Sequence, residues 1–430
     1  MTPPAQQLIE SLGRRADACR MCGSRDLHRY LDLGHMPPAD QFLRPEQLAD
    51  PVVDYPLEVY LCLGCGLSQL GYVVSPQILY QEEYPYESSM TRAGREHFRA
   101  FAGSVAARFE LQPGDLAVDI GSNVCVLLSG FAEEGLRVLG VDPAANIAAI
   151  ANERGIPTLP ELFGPAVATR IVAEHGTASV ITATNVFAHI DDLDELMRAI
   201  GTLLGPDGVF VIEAPYLVNL LGRLEYDTIY HEHLSYISVR PLIAFFERHG
   251  MRLFDVQETD IHGGSCRFFV DRARRPVETA TLQGFLDREE AEGAFDPVRL
   301  AGFAARVEAN RVALRELLDG LRRAGSTIVG VSAPAKGMTL LNYCRIGPET
   351  IGYVTEKSRL KIGRFTPGMH VPVVDDEELL ETRPDYALLL AWNFADEIIQ
   401  NLSAYREAGG RFIIPIPEPH VITPEEVVSR

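Results

Sequence analysis

Residues 226–236 concentrate groups that move protons. These eleven positions hold three tyrosines (Tyr226, Tyr230, Tyr236), two histidines (His231, His233) and two carboxylates (Asp227, Glu232). Such side chains exchange protons near neutral pH. Apolar runs flank the stretch, so it is expected to lie against a core rather than in solvent. The remaining segments read as devices that bring a cofactor and a substrate to it.

Four of the seven cysteines are paired by spacing. Cys19-Arg-Met-Cys22 and Cys62-Leu-Gly-Cys65 are two CxxC knuckles with 39 residues between them, each followed by a glycine, Gly23 and Gly66. Each knuckle turns two thiolates back onto one tetrahedral ion, and the pair predicts a structural zinc site. A redox or unpaired role for these thiols is the alternative. Four sulfur ligands leave no open position, so this zinc is not expected to be catalytic. Cys125, Cys266 and Cys344 stand alone and are expected to be small buried apolar residues.

At 430 residues the chain exceeds one ordinary core, so two or three domains are expected. A hydrophobic fraction of 47% indicates an ordered globular protein, and a net charge of -20 argues against nucleic acid or an anionic membrane as partner. No apolar run reaches the roughly 18 residues a membrane span needs. Residues 1–10 lack the basic start and apolar centre of a secretory signal. A cytoplasmic protein is the expectation.

The proton-moving cluster needs a scaffold, and the middle of the chain supplies one. After a helical stretch at 91–110, strands are expected at 116–121, 137–142, 178–185 and 208–215, with helices between them. That alternation predicts a parallel, helix-covered sheet, with ligands at the carboxyl ends of its strands. The first strand runs into Asp119-Ile-Gly121, and the second ends in Asp142-Pro143, 21 residues past Gly121. A glycine there lets backbone approach a ligand, and an acid ending strand two suits ribose hydroxyls. The GxGxxG fingerprint is absent. Asp-x-Gly followed by an acid after strand two is the arrangement used for S-adenosylmethionine.

Several stretches in order resemble the deoxysugar C-methyltransferases of antibiotic biosynthesis, which methylate C3 of nucleotide-linked 4-keto-hexoses. They are the two knuckles, Asp119-Ile-Gly-Ser122-Asn123, Asn185-Val186-Phe-Ala-His189, Tyr230-His-Glu-His233-Leu-Ser-Tyr236, Ile261-His262-Gly263-Gly-Ser265, Ala333-Pro-Ala-Lys336-Gly337, Gly363-Arg364-Phe-Thr-Pro367-Gly368 and Pro415-Ile-Pro417. The resemblance implies an α/β protein with an N-terminal zinc-binding domain (residues 1–75), a central Rossmann-like S-adenosylmethionine domain (76–275), and a helical bridge with a C-terminal Rossmann-like domain that helps hold the nucleotide sugar (276–430). It implies that His233 is the general base, with Tyr84, His189, Tyr230 and Glu232 as its neighbours. Asp119, Gly121, Ser122, Asn123, Asp142, Pro143, Asn185 and Val186 would then hold the cofactor. The substrate, expected as a dTDP-sugar, would meet Tyr86, His262, Gly263, Lys336 and Arg364. A monomer or weak homodimer is expected.

One departure bears on function. The family continues Gly-Ser-Asn with Asp-Gly-Thr, whereas here Val124-Cys125-Val126 follows. An acid and a glycine are lost, and a Cβ where backbone approach is wanted carries a steric cost. Two outcomes stay open: the loop binds S-adenosylmethionine by another route, or proton abstraction beside a ketone survives alone as an epimerase or isomerase. A scaffold with degenerate sites is a third reading, disfavoured by the intact cluster at 230–236.

Elsewhere, residues 1–17 read as a helical or frayed arm. The tyrosine-rich segment 79–89 either covers a substrate pocket or packs on the next domain. The charged run 287–292 reads as a solvated helix face. Lys336 opens a helix after a strand at 327–332, a place suited to an anion, although a solvated lysine fits equally. A further strand is expected at 351–354.

Overall fold

The computed structural model describes residues 12–80, 92–259, 264–272 and 274–422. The chain divides into two compact units, each assembled from three stretches. Unit 1 takes residues 1–28, 60–219 and 234–296, and unit 2 takes 29–59, 220–233 and 297–430.

Unit 1 is built on a seven-stranded sheet. Its strands are β1 (Leu116–Ile120), β2 (Arg137–Val141), β3 (Thr158–Leu159), β4 (Ala178–Thr184), β5 (Leu204–Pro215), β6 (Arg252–Thr259) and β7 (Ser265–Asp271), in the order β6-β7-β5-β4-β1-β2-β3. All neighbours are parallel except β7, which runs antiparallel to both β5 and β6. β1 is wholly buried and reads Leu-Ala-Val-Asp-Ile, apolar but for Asp119, as suits a strand covered on both faces. Helices Arg92–Arg108 and Val126–Glu133 contribute Phe98, Phe101, Leu128 and Phe131 to a core shared with Val180, Val211, Phe254 and Phe269 of the sheet. Strand order reverses between β1 and β4, which puts a ligand crevice at their carboxyl ends, after Ile120 and Thr184.

The N-terminal part of unit 1 differs from expectation. Residues 13–15 form a strand paired antiparallel with Tyr72–Val74 instead of a helical or frayed arm. Ladder bonds to a partner some 60 positions away decide this, and no local propensity signals it. The run at 287–292 is a mostly exposed face, as expected, with one exception. Within helix Thr279–Ala291, Glu289 is fully buried, and its carboxylate accepts from the Tyr216 hydroxyl at 3.0 Å and from the amides of Val239 and Arg240 at 2.5 and 3.1 Å. It thereby satisfies the first donors of helix Val239–Arg248, which carry the positive end of the dipole.

Unit 2 contains a second sheet with strands β8 (Ile328–Val331), β9 (Val354–Glu356), β10 (Val373–Asp375), β11 (Tyr386–Leu389), β12 (Arg411–Ile414) and β13 (His420–Val421). Their order is β10-β9-β8-β11-β12-β13, parallel except for β13. β9 begins where a strand at 351–354 was expected to end, because its first parallel partners are Gly330 and Val331. The long helix Pro297–Arg323 and helix Ala335–Cys344 belong to this unit. The architecture is thus α/β, with two Rossmann-like sheets and a cysteine-bearing N-terminal part. No helix among the described residues is long and apolar enough to cross a membrane.

Candidate functional site

The four knuckle thiols converge. The Sγ atoms of Cys19, Cys22, Cys62 and Cys65 lie within 4.8 Å of one another, with 3.5 Å between Cys19 and Cys65 and between Cys22 and Cys62. A tetrahedral ion at about 2.3 Å from each sulfur would set these edges near 3.8 Å. Both knuckles close with an amide returning to the first cysteine's carbonyl, Gly23 to Cys19 and Gly66 to Cys62, with φ of 73° and 90° at the glycines. Four thiolates this close require a cation, and the donor set is that of structural zinc.

The crevice between β1 and β4 collects the residues predicted to hold the cofactor. Gly121 has φ 65°, and a Cβ there would sit 2.5 Å from Val186, so only glycine permits this approach of the two strand ends. Asp142 closes the loop from β2: its two oxygens accept the amides of Asn123 at 2.8 Å and Ala144 at 2.9 Å. Burial raises the Asp142 carboxyl above its ordinary range. Asp119 is fully enclosed and accepts the Thr182 hydroxyl at 2.6 Å; burial pushes it up to about 7, opposed by that bond and reinforced by Asp142. Pro143 stands beside Asp142 and is partly exposed. The Ser122 hydroxyl and the Asn185 side-chain oxygen are buried with no hydrogen-bond partner. Unmet acceptors beside a carboxylate pair and a glycine cradle fit a polar, cationic nucleoside such as S-adenosylmethionine.

The altered loop is accommodated. Cys125 adopts the left-handed conformation at φ 62°, which costs an L-residue about 1–2 kcal/mol. Its thiol is buried against the Thr158 hydroxyl at 3.2 Å, and Val124 packs with Ala144 and Ile147. Both replacement side chains therefore turn into the core. His189 lies in the short turn after β4, its Nδ1 3.3 Å from the Tyr80 hydroxyl. At the end of β5, a buried Glu213 holds His97 at 2.7 Å and Arg267 at 2.8 Å, while its carbonyl accepts the Asn185 amide. No local pattern signals this triad, whose members are far apart in the chain.

Unit 2 carries the segment 220–233. His233 Nδ1 lies 2.7 Å from the Thr228 carbonyl, which can only accept, so Nδ1 carries the proton and Nε2 holds the lone pair of the neutral ring. The Tyr230 ring lies 4.0 Å from the His233 ring, tilted by 34°. Glu232 is buried. The other histidine is different in kind: His231 is enclosed beside the Tyr55 carbonyl at 3.3 Å, and burial pulls it down to about 4. It is a neutral structural residue. Tyr226 anchors the segment through Asn310, whose amide also donates to the carbonyls of Pro415 and Pro417 at 2.9 and 2.8 Å. Thr339 donates to the Ile229 carbonyl at 3.2 Å.

Lys336 belongs to the same assembly. Its ammonium is 3.6 Å from the fully buried Asp227 and 4.2 Å from the Trp392 ring, whose indole N–H donates to Asp227 at 2.7 Å. Strand order in this sheet reverses between β8 and β11, so Lys336 and Trp392 flank its switch-point crevice. Lys361, unnoticed in the sequence, is buried and donates to the Ala333 carbonyl at 2.8 Å, while Glu356 accepts the Ala333 amide at 3.0 Å. Arg364 lies partly buried in the loop between β9 and β10. Tyr84, Tyr86, His262 and Gly263 lie outside the described residues.

Comparison with known proteins places these observations. Three family profiles match the chain: a zinc binding domain over residues 19–80, a methyltransferase domain over 94–256, and a C-methyltransferase C-terminal domain over 260–417. C-methyltransferase NovU of Streptomyces niveus is 39% identical over 421 residues, covering 98% of this chain and 100% of that protein. A ubiquinone biosynthesis O-methyltransferase of Burkholderia thailandensis is 25% identical over 36% of this chain and 72% of its own length. Among solved structures, the magnesium protoporphyrin IX methyltransferase of Synechocystis PCC 6803 aligns with a TM-score of 0.34 at 12% identity, covering 44% of this chain and 90% of that one.

Proposed function

The chain belongs to the C-methyltransferase family and uses S-adenosylmethionine, and on that premise we propose that it methylates C3 of a nucleotide-linked 4-keto-deoxysugar. The observation that carries this reading is the fixed tautomer of His233, which presents Nε2 as a base. A ketone at C4 acidifies the C3 hydrogen, and Nε2 takes that proton. The Tyr230 hydroxyl and His189 serve as donors for the enolate oxygen, and Glu232 orients the base. S-adenosylmethionine, held by Asp119, Gly121, Ser122, Asn123, Asp142, Pro143, Asn185 and Val186, supplies an electrophilic methyl group. When bound, that donor would supply the methyl group to C3, and His233 is left holding the abstracted proton as imidazolium.

The nucleotide is dTDP, contacted by Lys336 and Arg364 and by the segments containing Tyr86, His262 and Gly263. Zinc-binding, methyl-transfer and nucleotide-sugar roles fall to residues 1–75, 76–275 and 276–430. The enzyme works in the cytoplasm as a monomer or weak homodimer. The test incubates a dTDP-4-keto-deoxysugar in deuterium oxide with enzyme and no methyl donor. Exchange at C3 by wild type and none by His233→Ala is expected, followed by methylation when the donor is added. Exchange without methylation would favour the isomerase, and exchange by the variant would remove the base.

A further inference from the structure

Arg20 lies inside the first zinc knuckle, between two ligand cysteines, yet its side chain does not face solvent: only 3% of it is exposed. Its backbone amide donates to the Gln69 side chain at 2.9 Å, and Gln69 in turn donates to the Ala18 carbonyl at 3.1 Å. The guanidinium then reaches two separate segments. Nη1 donates to the Leu70 carbonyl at 2.9 Å, and Nε donates to Asp191 at 3.1 Å. Asp191 also pairs with Arg14, which is largely exposed.

Both segments lead to the candidate histidines. Asp191 is two residues past His189. Leu70 ends the strand Ser68–Leu70, which pairs antiparallel with Ser235–Tyr236, and its own amide donates to the Leu234 carbonyl at 3.0 Å. Leu234 directly follows His233. One buried cation therefore joins the metal knuckle to the Asp191 side chain and, through Leu70, to the strand that follows His233.

We infer that Arg20 is a positioning residue, through which the zinc knuckle holds the His189 turn and the strand Ser235–Tyr236 that follows His233 in place for catalysis. Four thiolates on one ion make the knuckle rigid. The guanidinium's planar fork passes that rigidity to two acceptors in fixed directions, whereas a lysine's rotatable ammonium would hold them less firmly. The inference rests on the reading that His189 and His233 serve the reaction.

The experiment compares full-length, zinc-loaded wild type with Arg20→Gln, Arg20→Lys and Asp191→Asn. It measures zinc content, peptide hydrogen exchange, donor affinity and turnover. Arg20→Gln is expected to keep one zinc and its S-adenosylmethionine affinity. Exchange should rise in peptides spanning 187–192 and 234–237, and kcat should fall about 10- to 100-fold, as small misplacements of reacting groups do. Arg20→Lys should recover part of this loss. If Arg20→Gln loses zinc, Asp191→Asn decides alone, since it leaves the knuckle untouched: raised exchange at 187–192 supports the anchor. Unchanged exchange and unchanged kcat in both variants overturn it. Raised exchange with undiminished turnover leaves the anchor standing and sinks the catalytic placement of the histidines.

Discussion

His233 donates its Nδ1 proton to the main-chain carbonyl of Thr228 at 2.7 Å. The two belong to one short loop, so the imidazole is oriented by its own segment. His233→Asn keeps a donor near the Nδ1 position and lacks Nε2. It should melt within about 2 °C of wild type, since an exposed or half-buried swap of this kind costs little. Its deuterium exchange at C3 should fall by about 10²–10⁴-fold, the usual worth of a general base. Exchange at the wild-type rate would rule out Nε2.

The thiol cluster should hold one zinc per chain. Cys65→Ser, or exhaustive chelation, should release the metal and lower the thermal midpoint, because metal binding is folding free energy at such sites. Elemental analysis and calorimetry check both. Full stability in the metal-free protein would contradict a structural role.

If the donor lies beside Asp119, as proposed, its affinity should depend on pH. Burial holds its carboxyl at about 7 against an ordinary 3.8. Between those values the folded state keeps a proton that the unfolded chain has lost, so this residue's contribution to stability falls as pH rises from about 4 to 7. A sulfonium or ammonium nearby favours the ionised form. Affinity for S-adenosylmethionine should therefore strengthen from pH 6 to 8, with proton release on binding at pH 6. Titration calorimetry in buffers of different ionisation heat measures this, and Asp119→Asn should flatten the dependence.

Lys336 and Asp227 form a buried pair. Lys336→Met should destabilise the protein by about 3 kcal/mol, because a carboxylate loses its cation. Adding Asp227→Asn should recover most of that loss. Denaturation of the single and double variants decides; a single variant as stable as wild type would assign Lys336 to ligand alone.

Much of the plan could be read from local pattern. The two knuckles, the glycine after β1 and the acid after β2 advertise their roles within a few residues, and the buried runs of β1, β4 and β8 mark strands by composition. What escaped detection depends on partners distant in the chain. Arg20 finds Asp191, Glu213 finds His97 and Arg267, and Glu289 finds Val239, over separations of 50 to 171 positions. A charged residue destined for such a partner looks the same in sequence as one facing water. The two histidines of the cluster show the same limit, since only tertiary enclosure separates His231 from His233. Cys125 escapes for a different reason: its left-handed backbone is imposed by the loop geometry against its own preference.

Trp392 is the chain's sole tryptophan, with its N–H on Asp227 and an ammonium over its face. An indole sandwiched between opposite charges shifts its emission when either one moves. Intrinsic fluorescence excited at the red edge of absorption therefore reports from one place only, the mouth of the second sheet. Titration with the proposed nucleotide sugar can be followed by light, without a label.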